Sequence, residues 1–353
     1  MPKFKHVVIV SDNIRGHYHQ SLGVAEWLGR LGNVEVADPV KLPEISSLKK
    51  ILKLKLAGRK IPDKGPDYSR TWLHSFGIQS KKFRADTLFI SAGSSAAPFC
   101  LALAKATGNK SAVIMTPSIL GIKPFDYAII PAHDPHDPND PKILTTLGAP
   151  NHIHVEGAEK AAETFFGHRN FKKKIVAVLI GGSDSNYKPD ARWASEVLGG
   201  LKQFKDSTLL LTTSRRTEED LEREVEDLFS SYSSLGYILI LSRNPKVNAV
   251  TAMLGIATHV LVTEDSVSMV SEAATAGFRV GLLRVPRVTS ALKKSLGYGT
   301  KKFDEMFEEM KARDLVADLG RTSNFSDFLG ADEQKHHKDF NEAKRAAEWI
   351  LNS

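Results

Sequence analysis

A single cysteine among 353 residues excludes an internal disulfide, so the folded state must be held by packing. Cys100 falls inside an apolar helical pattern, the setting of a buried core thiol. Hydrophobic runs of membrane-spanning length are missing, and the opening residues carry no signal-peptide pattern. Those two absences predict a cytoplasmic protein. Internal repeats and low-complexity tracts are also missing, which excludes a repeat array.

Charge of both signs is plentiful, with 48 basic residues against 41 acidic ones and a formal net charge of +7. The excess is uneven. Lys49, Lys50, Lys53, Lys55, Arg59 and Lys60 crowd one segment, where Ile45, Leu48, Ile51, Leu52 and Leu56 recur at helical spacing. A basic amphipathic helix of this kind suits peripheral contact with an anionic membrane, at roughly 1 kcal/mol per basic residue near the surface. A helix packed on its own domain with a solvated basic face fits the same pattern. Lacking interleaved aromatics and any matching motif, the segment is not read as a nucleic-acid site.

Three strand-to-helix turns carry the candidate chemistry. In V-T-E-D-S-V-S-M-V-S-E-A-A-T-A-G, residues 262–277, a buried strand leads into a helix that Asp265 or Ser266 can cap. The amides of its first turn suit a phosphate. Glu272, one to two turns further on, can accept hydrogen bonds from the 2′ and 3′ hydroxyls of a ribose. A second apolar run, K-I-V-A-V-L-I over residues 174–180, reads as a central strand of a parallel sheet. It enters Gly181-Gly182-Ser183, whose glycines allow close approach of a ligand and whose serine offers a hydroxyl. This turn is neither a Walker loop nor G-x-G-x-x-G.

The third turn follows a strand over residues 5–10. A loop over 11–18 and a helix over 19–31 place His17 at the carboxyl end of that strand, the edge where open α/β sheets bind ligands. A histidine there is a candidate general base for an attacking hydroxyl, because imidazole titrates near neutral pH. His19 is its rival by composition.

Further strands are expected over residues 34–37, 87–91, 112–115 and 127–130, then over 208–212, 237–241, 260–262 and 279–283, with helical patterns between them. This alternation predicts an α/β protein of two doubly wound, Rossmann-like parallel sheets facing across a cleft. The expected domains are 1–157 and 172–338, joined by a linker over 157–173, with a terminal helix in 339–353. His133, Asp134, His136 and Asp137 are metal-ligand types, but Pro135, Pro138 and Pro141 make an extended loop without fixed ligand spacing. No metal site is expected.

The segment R-G-H-Y-H-Q-S-L-G-V-A, residues 15–25, is similar to the P-G-H-x-N-Q-S-L-G-L-A opening of the mitochondrial fission ELM-like family, whose members look like GT-B glycosyltransferases. T-E-D-S-V-S-M-V-S-E-A, residues 263–273, is close to that family's T-A-D-S-V-S-M-V-S-E-A. T-T-S-R-R-T at 212–217 and Asn244-Pro245 match between them. More distantly, the three turns resemble, in order, the nucleotide-sugar site of the N-acetylglucosaminyltransferase that makes peptidoglycan lipid II.

What the resemblance implies is a GT-B-like fold whose last helix crosses back to the N-terminal domain. It also implies a site. Glu272 would hold the ribose, while Asp265, Ser266, Val267, Ser268 and Met269 would surround the diphosphate. Gly16, Gly181, Gly182 and Ser183 would line the nucleotide sugar, with Asn244 and Pro245 beside it. Ser214, Arg215 and Arg216 would follow, the arginines neutralising the leaving group, and His17 would be the catalytic base. Arg15, Tyr18 and His19 depart from the family's usual residues, and beyond Gly281 the Gln/Asp pair that grips the sugar in the lipid II enzyme is missing, which leaves the sugar open. The resulting expectation is a metal-independent glycosyltransferase that needs no cofactor. It would take a nucleoside diphosphate sugar, UDP-linked, and a lipid or glycan acceptor at the inner membrane face. A non-catalytic GT-B-like interaction module and a nucleotide-sugar epimerase share the fold, which cannot choose among them.

Overall fold

Runs of Val, Ile, Leu and Ala that are apolar at every position, not at alternate ones, can only form strands covered on both faces, and such strands belong to parallel sheets. The computed structural model describes residues 3–43, 56, 58–80, 82–118, 120–288, 300–320, 325–330, 334 and 339–353. Its strands are β1 (His6–Ser11), β2 (Glu35–Lys41), β3 (Thr87–Ala92), β4 (Lys110–Ile114), β5 (Tyr127–Pro131), β6 (Ile143–Thr146), β7 (Lys174–Leu179), β8 (Ser207–Thr212), β9 (Leu235–Leu239), β10 (His259–Thr263), β11 (Val280–Leu283) and β12 (Val316–Asp318). They form two six-stranded sheets, ordered β2-β1-β3-β4-β5-β6 and β12-β11-β10-β7-β8-β9. Every recorded pairing between them is parallel.

Between the strands lie α1 (Arg15–Gly32), α2 (Pro66–His74), α3 (Ala97–Thr107), α4 (Val155–Phe166), α5 (Ala191–Val197), α6 (Glu219–Phe229), α7 (Val250–Ile256), α8 (Val267–Thr275), α9 (Lys301–Ala312), α10 (Phe325–Gly330) and α11 (Glu342–Asn352). The chain divides into two compact units, Met1–His152 with Asn341–Ser353, and Ile153–Phe340. In each sheet the strand order reverses direction once, between β1 and β3 in the first and between β7 and β10 in the second. At such switch points the loops diverge and leave a crevice at the carboxyl ends of the strands.

In the first unit the sheet is buried on both faces. On one side α3 packs Phe99, Leu101 and Leu103 against Val8, Phe89 and Val113. On the other, α1 contributes Val24, Ala25 and Leu28, joined by Ala343, Ala346, Ala347 and Ile350 of α11. The terminal helix thus supplies core to the first unit, and the Asn341 side chain caps it by accepting from the Lys344 amide at 2.8 Å. Cys100 is fully buried, its Sγ directed at the Phe89 carbonyl at 3.3 Å, and burial pushes the thiol up to about 12.

Several expectations are corrected. Helix α1 begins at Arg15, four residues before the expected start, so His17 stands in a helical first turn and not in a loop. The segment expected as a linker, 157–173, contains most of α4. β6 and β12 were not anticipated, because both are short and only partly buried, so their patterns are weak. In the proline-rich loop His136 uses one ring nitrogen on the Asp134 carbonyl and the other on the Thr145 hydroxyl, both at 2.6 Å, and so braces the loop. Lys49, Lys50, Lys53 and Lys55 lie outside the described residues. Among the described residues no helix is long and apolar enough to cross a membrane.

Helices α4 and α7 approach so closely that a Cβ on Gly255 would lie 1.9 Å from the Ala158 carbonyl oxygen. Gly255→Ala is therefore expected to force the helices apart and to cost about 1–3 kcal/mol, the usual penalty of overpacking. Denaturant unfolding checks it, and an unchanged midpoint would show that the two helices separate without cost.

Candidate functional site

In the second unit the switch point brings together the exits of β7, β8 and β10. β7 ends on Gly181-Gly182. The Gly181 amide donates to Thr263 Oγ1 and the Gly182 amide to Asp265 Oδ2, each at 2.7 Å. A Cβ on Gly181 would fall 2.0 Å from Asp265 Oδ2, and one on Gly182 would fall 2.1 Å from the backbone carbon of Arg216. The expected reason for the glycines is thereby corrected. Neither has a positive φ, and what comes close to the turn is the protein's own chain, not an open path for a ligand.

Arg216, expected to serve a leaving diphosphate, is engaged internally. Its guanidinium donates to Asp265 Oδ2 at 3.1 Å and to the Gly182 carbonyl at 3.1 Å, and it stands 3.4 Å from Asp184 Oδ2. Arg215 is exposed and makes no ion pair among the described residues. Ser214 is structural as placed, its Oγ accepting from the Arg216 amide at 3.1 Å while its own amide donates to Thr217 Oγ1 at 2.8 Å. The Asp265 side chain is 0% exposed. Burial raises its carboxyl above the usual range, against the lowering pull of Thr263, the Gly182 amide and Arg216.

The expected cap of α8 is corrected as well. Ser266 occupies the N-cap position but its side chain makes no capping bond, and the Asp265 carboxylate is turned toward Gly182 and Arg216. The first-turn amides of Val267, Ser268 and Met269, on partly exposed residues, therefore carry the positive end of the helix without a side-chain acceptor. Glu272 follows Ser268 by four positions and Met269 by three, which sets it on the same helix face. It is half-buried.

Asn244 and Pro245 lie in the exposed turn after β9. That turn is tied to the exit of β8 by the Leu241 amide, which donates to Thr213 Oγ1 at 2.9 Å, and by Ser242 Oγ, which donates to Glu222 Oε2 at 2.5 Å. Glu222 of α6 is 2% exposed and also receives Thr213 Oγ1 at 3.2 Å. Glu264 is buried beside the switch point, where it accepts from Arg284 and Arg287 at 2.8 Å each and from the Val285 amide at 3.1 Å. Neither carboxylate was singled out from the sequence, although the acid at 264, where the resembling motif has alanine, was a readable signal.

In the first unit β1 leads through Asp12 and Asn13 into α1. Asn13 adopts φ 65° and donates through Nδ2 to the Leu42 carbonyl at 2.9 Å. Asp12 Oδ1 accepts from the Ile14 amide at 3.2 Å, and Oδ2 lies 2.9 Å from His17 Nδ1. A carboxylate only accepts, so Nδ1 carries the proton and the neutral ring presents Nε2 as a base. Asp12 is nearly buried, with a side chain 6% exposed, whereas that of His17 is 26% exposed. Gly93, at the exit of β3, has φ 80°, and a Cβ there would lie 2.4 Å from His17 Cε1. The ring thus lies over the switch point between β1 and β3. A Cβ on Gly16 would meet nothing within 4 Å, so no close approach requires glycine there. The His19 ring packs against that of His152 in a tilted arrangement, with centroids 4.1 Å apart and planes at 54°, in a setting different from that of His17. Asp12 and Gly93 were missed from sequence; the Asp-x-x-x-x-His spacing across a strand exit was the available clue for Asp12.

The sequence pattern of the mitochondrial fission ELM1 family matches residues 15–353. An uncharacterized protein of Rickettsia prowazekii is 24% identical over 219 residues, covering 59% of this chain and 54% of that protein, so the match spans about half the length of this curated relative. Among solved structures, a Listeria monocytogenes protein provisionally described as a UDP-N-acetylglucosamine 2-epimerase aligns with a TM-score of 0.51 at 10% identity, over 99% of this chain and 95% of that one. The UDP-GlcNAc 2-epimerase of Neisseria meningitidis, solved with UDP-GlcNAc bound, aligns with a TM-score of 0.49 at 12% identity, over 99% of both chains. The two parallel sheets with interleaved helices are the two-domain GT-B-like α/β fold.

Proposed function

The chain belongs to the mitochondrial fission ELM1 family, and we propose that it binds a nucleoside diphosphate sugar, UDP-linked, and transfers the sugar to an acceptor hydroxyl. The observation that carries this reading is the start of α8 at a switch point, with no side-chain cap and with Glu272 one turn along the same face. A diphosphate complements the amides of Val267, Ser268 and Met269, where each helix-end contribution is about 0.3–1 kcal/mol. Glu272, one turn along the same face, is the carboxylate that would accept from the ribose hydroxyls.

Catalysis in this reading needs a base, and the hydrogen-bonded pair of Asp12 and His17 supplies one. Asp12 fixes the tautomer and the ring orientation, leaving Nε2 to take the acceptor proton. The acceptor is a lipid or glycan hydroxyl near a membrane face, with the basic segment around Lys49, Lys50 and Lys53 as the surface contact.

Melting measured in the presence of UDP, GDP, ADP and CDP, with the matching nucleotide sugars, tests the binding half. A ligand at one hundred times its Kd stabilises by about 2.7 kcal/mol, and UDP compounds are expected to give the largest rise. No shift with any nucleotide would end the reading. Release of nucleoside diphosphate in the presence of lipid and glycan acceptors tests the transfer half.

A further inference from the structure

The Gly182 amide and the Arg216 guanidinium face an anion that the protein itself provides. Asp265 Oδ2 receives the Gly182 amide at 2.7 Å and Arg216 Nη2 at 3.1 Å. An amide beside a guanidinium is the donor set that recognises a phosphate oxygen. The Asp265 side chain is fully buried, and Oδ1 has no hydrogen-bond partner among the described residues. A carboxylate held in that way is costly, since desolvating a charge is repaid only when its lone pairs are met. The fold keeps a charged group where a neutral side chain would be cheaper. Arg216, by contrast, has a side chain 41% exposed and further contacts to the Gly182 carbonyl and to Asp184. An anion arriving from solvent can therefore reach the Arg216 side chain, whereas Asp265 is closed off beneath it.

We propose that Asp265 is a built-in counter-anion of the nucleotide site, holding Arg216 in the unliganded protein so that a diphosphate must take the arginine from it. The proposal rests on the nucleotide-sugar reading above. Apparent affinity is then lowered by the fraction of molecules in which Arg216 remains on Asp265. Asp265 sets how tightly an anionic ligand is held, and it disfavours ligands too weakly charged to compete.

Calorimetric titration, with whichever of UDP, GDP, ADP and CDP binds best, tests this on the full chain. Asp265→Asn and Asp265→Ser are expected to tighten binding by at least about fivefold, and Arg216→Gln to weaken it by a similar factor. The gain should vanish when Asp265→Asn is combined with Arg216→Gln, because the competition runs through the arginine. Equal tightening in both backgrounds would overturn the proposal in favour of a general charge effect. Unchanged or weaker binding by Asp265→Asn, with its melting temperature kept, would overturn it while leaving the nucleotide reading in place. If neither wild type nor any variant binds a nucleoside diphosphate, the reading itself falls and the counter-anion with it. Asp265→Ser, which keeps an acceptor for the Gly182 amide, carries the test should the asparagine variant not fold.

Discussion

A His17→Ala variant is expected to keep its nucleotide-sugar affinity within about a few fold and to lose at least about a hundredfold in turnover, since a positioned general base contributes typically 10²–10⁴. The expectation rests on a hydrogen bond of 2.9 Å from Nδ1 to a nearly buried carboxylate. Asp12→Asn should fall in the same direction, because an amide can bond to either tautomer and no longer keeps Nε2 free of its proton. His19→Ala should do much less, its ring being packed at a tilt against His152. Steady-state release of nucleoside diphosphate gives turnover, and titration gives affinity. A His17→Ala enzyme as active as wild type would strip the residue of its role. Tight nucleotide binding with no turnover in the wild type, whatever the acceptor, would favour a non-catalytic module.

Binding should respond most to Glu272. If its carboxylate holds a ribose, Glu272→Ala should weaken nucleotide binding by about 1.5–3 kcal/mol, roughly ten- to a hundredfold, the worth of a hydrogen bond to a charged group. The fold should survive, because the residue is only half-buried. A matched titration with a 2′,3′-dideoxy nucleotide separates the causes. Wild type should lose as much by that change in ligand as the variant loses by its change in side chain, and the variant should be indifferent to it. Equal affinity of variant and wild type would sink the ribose assignment.

The strands were legible because the burial that makes them leaves continuous apolar runs. β7, β8 and β10 are buried at nearly every position, and their sequences contain little else but Val, Ile, Leu and Thr. Edge strands β6 and β12 bury less and so signal less. In the site, the strand exits at Gly181, Thr213 and Asp265 were visible as turns, yet their mutual bonds were not. That Asp265 would be spent on Gly182 and Arg216 depends on three strand exits meeting, with partners 83 and 49 residues away in the chain. Periodicity carries no such information. The pairing of Asp12 with His17 is local, but it depends on where α1 begins, and helix starts without a side-chain cap leave little trace in sequence.

The placement of α11 has a consequence for how the molecule comes into being on the ribosome. Chains usually acquire structure from the amino end as they emerge, but the first unit here cannot close in that order. Val24, Leu28 and Tyr127 wait for Ala343, Ala347 and Ile350, which are translated only after the whole of Ile153–Phe340. Every residue of the second unit has been translated while the first still lacks part of its core. The apolar face of the first unit is therefore covered only once Asn341–Ser353 has been made, and until then that face is open to solvent.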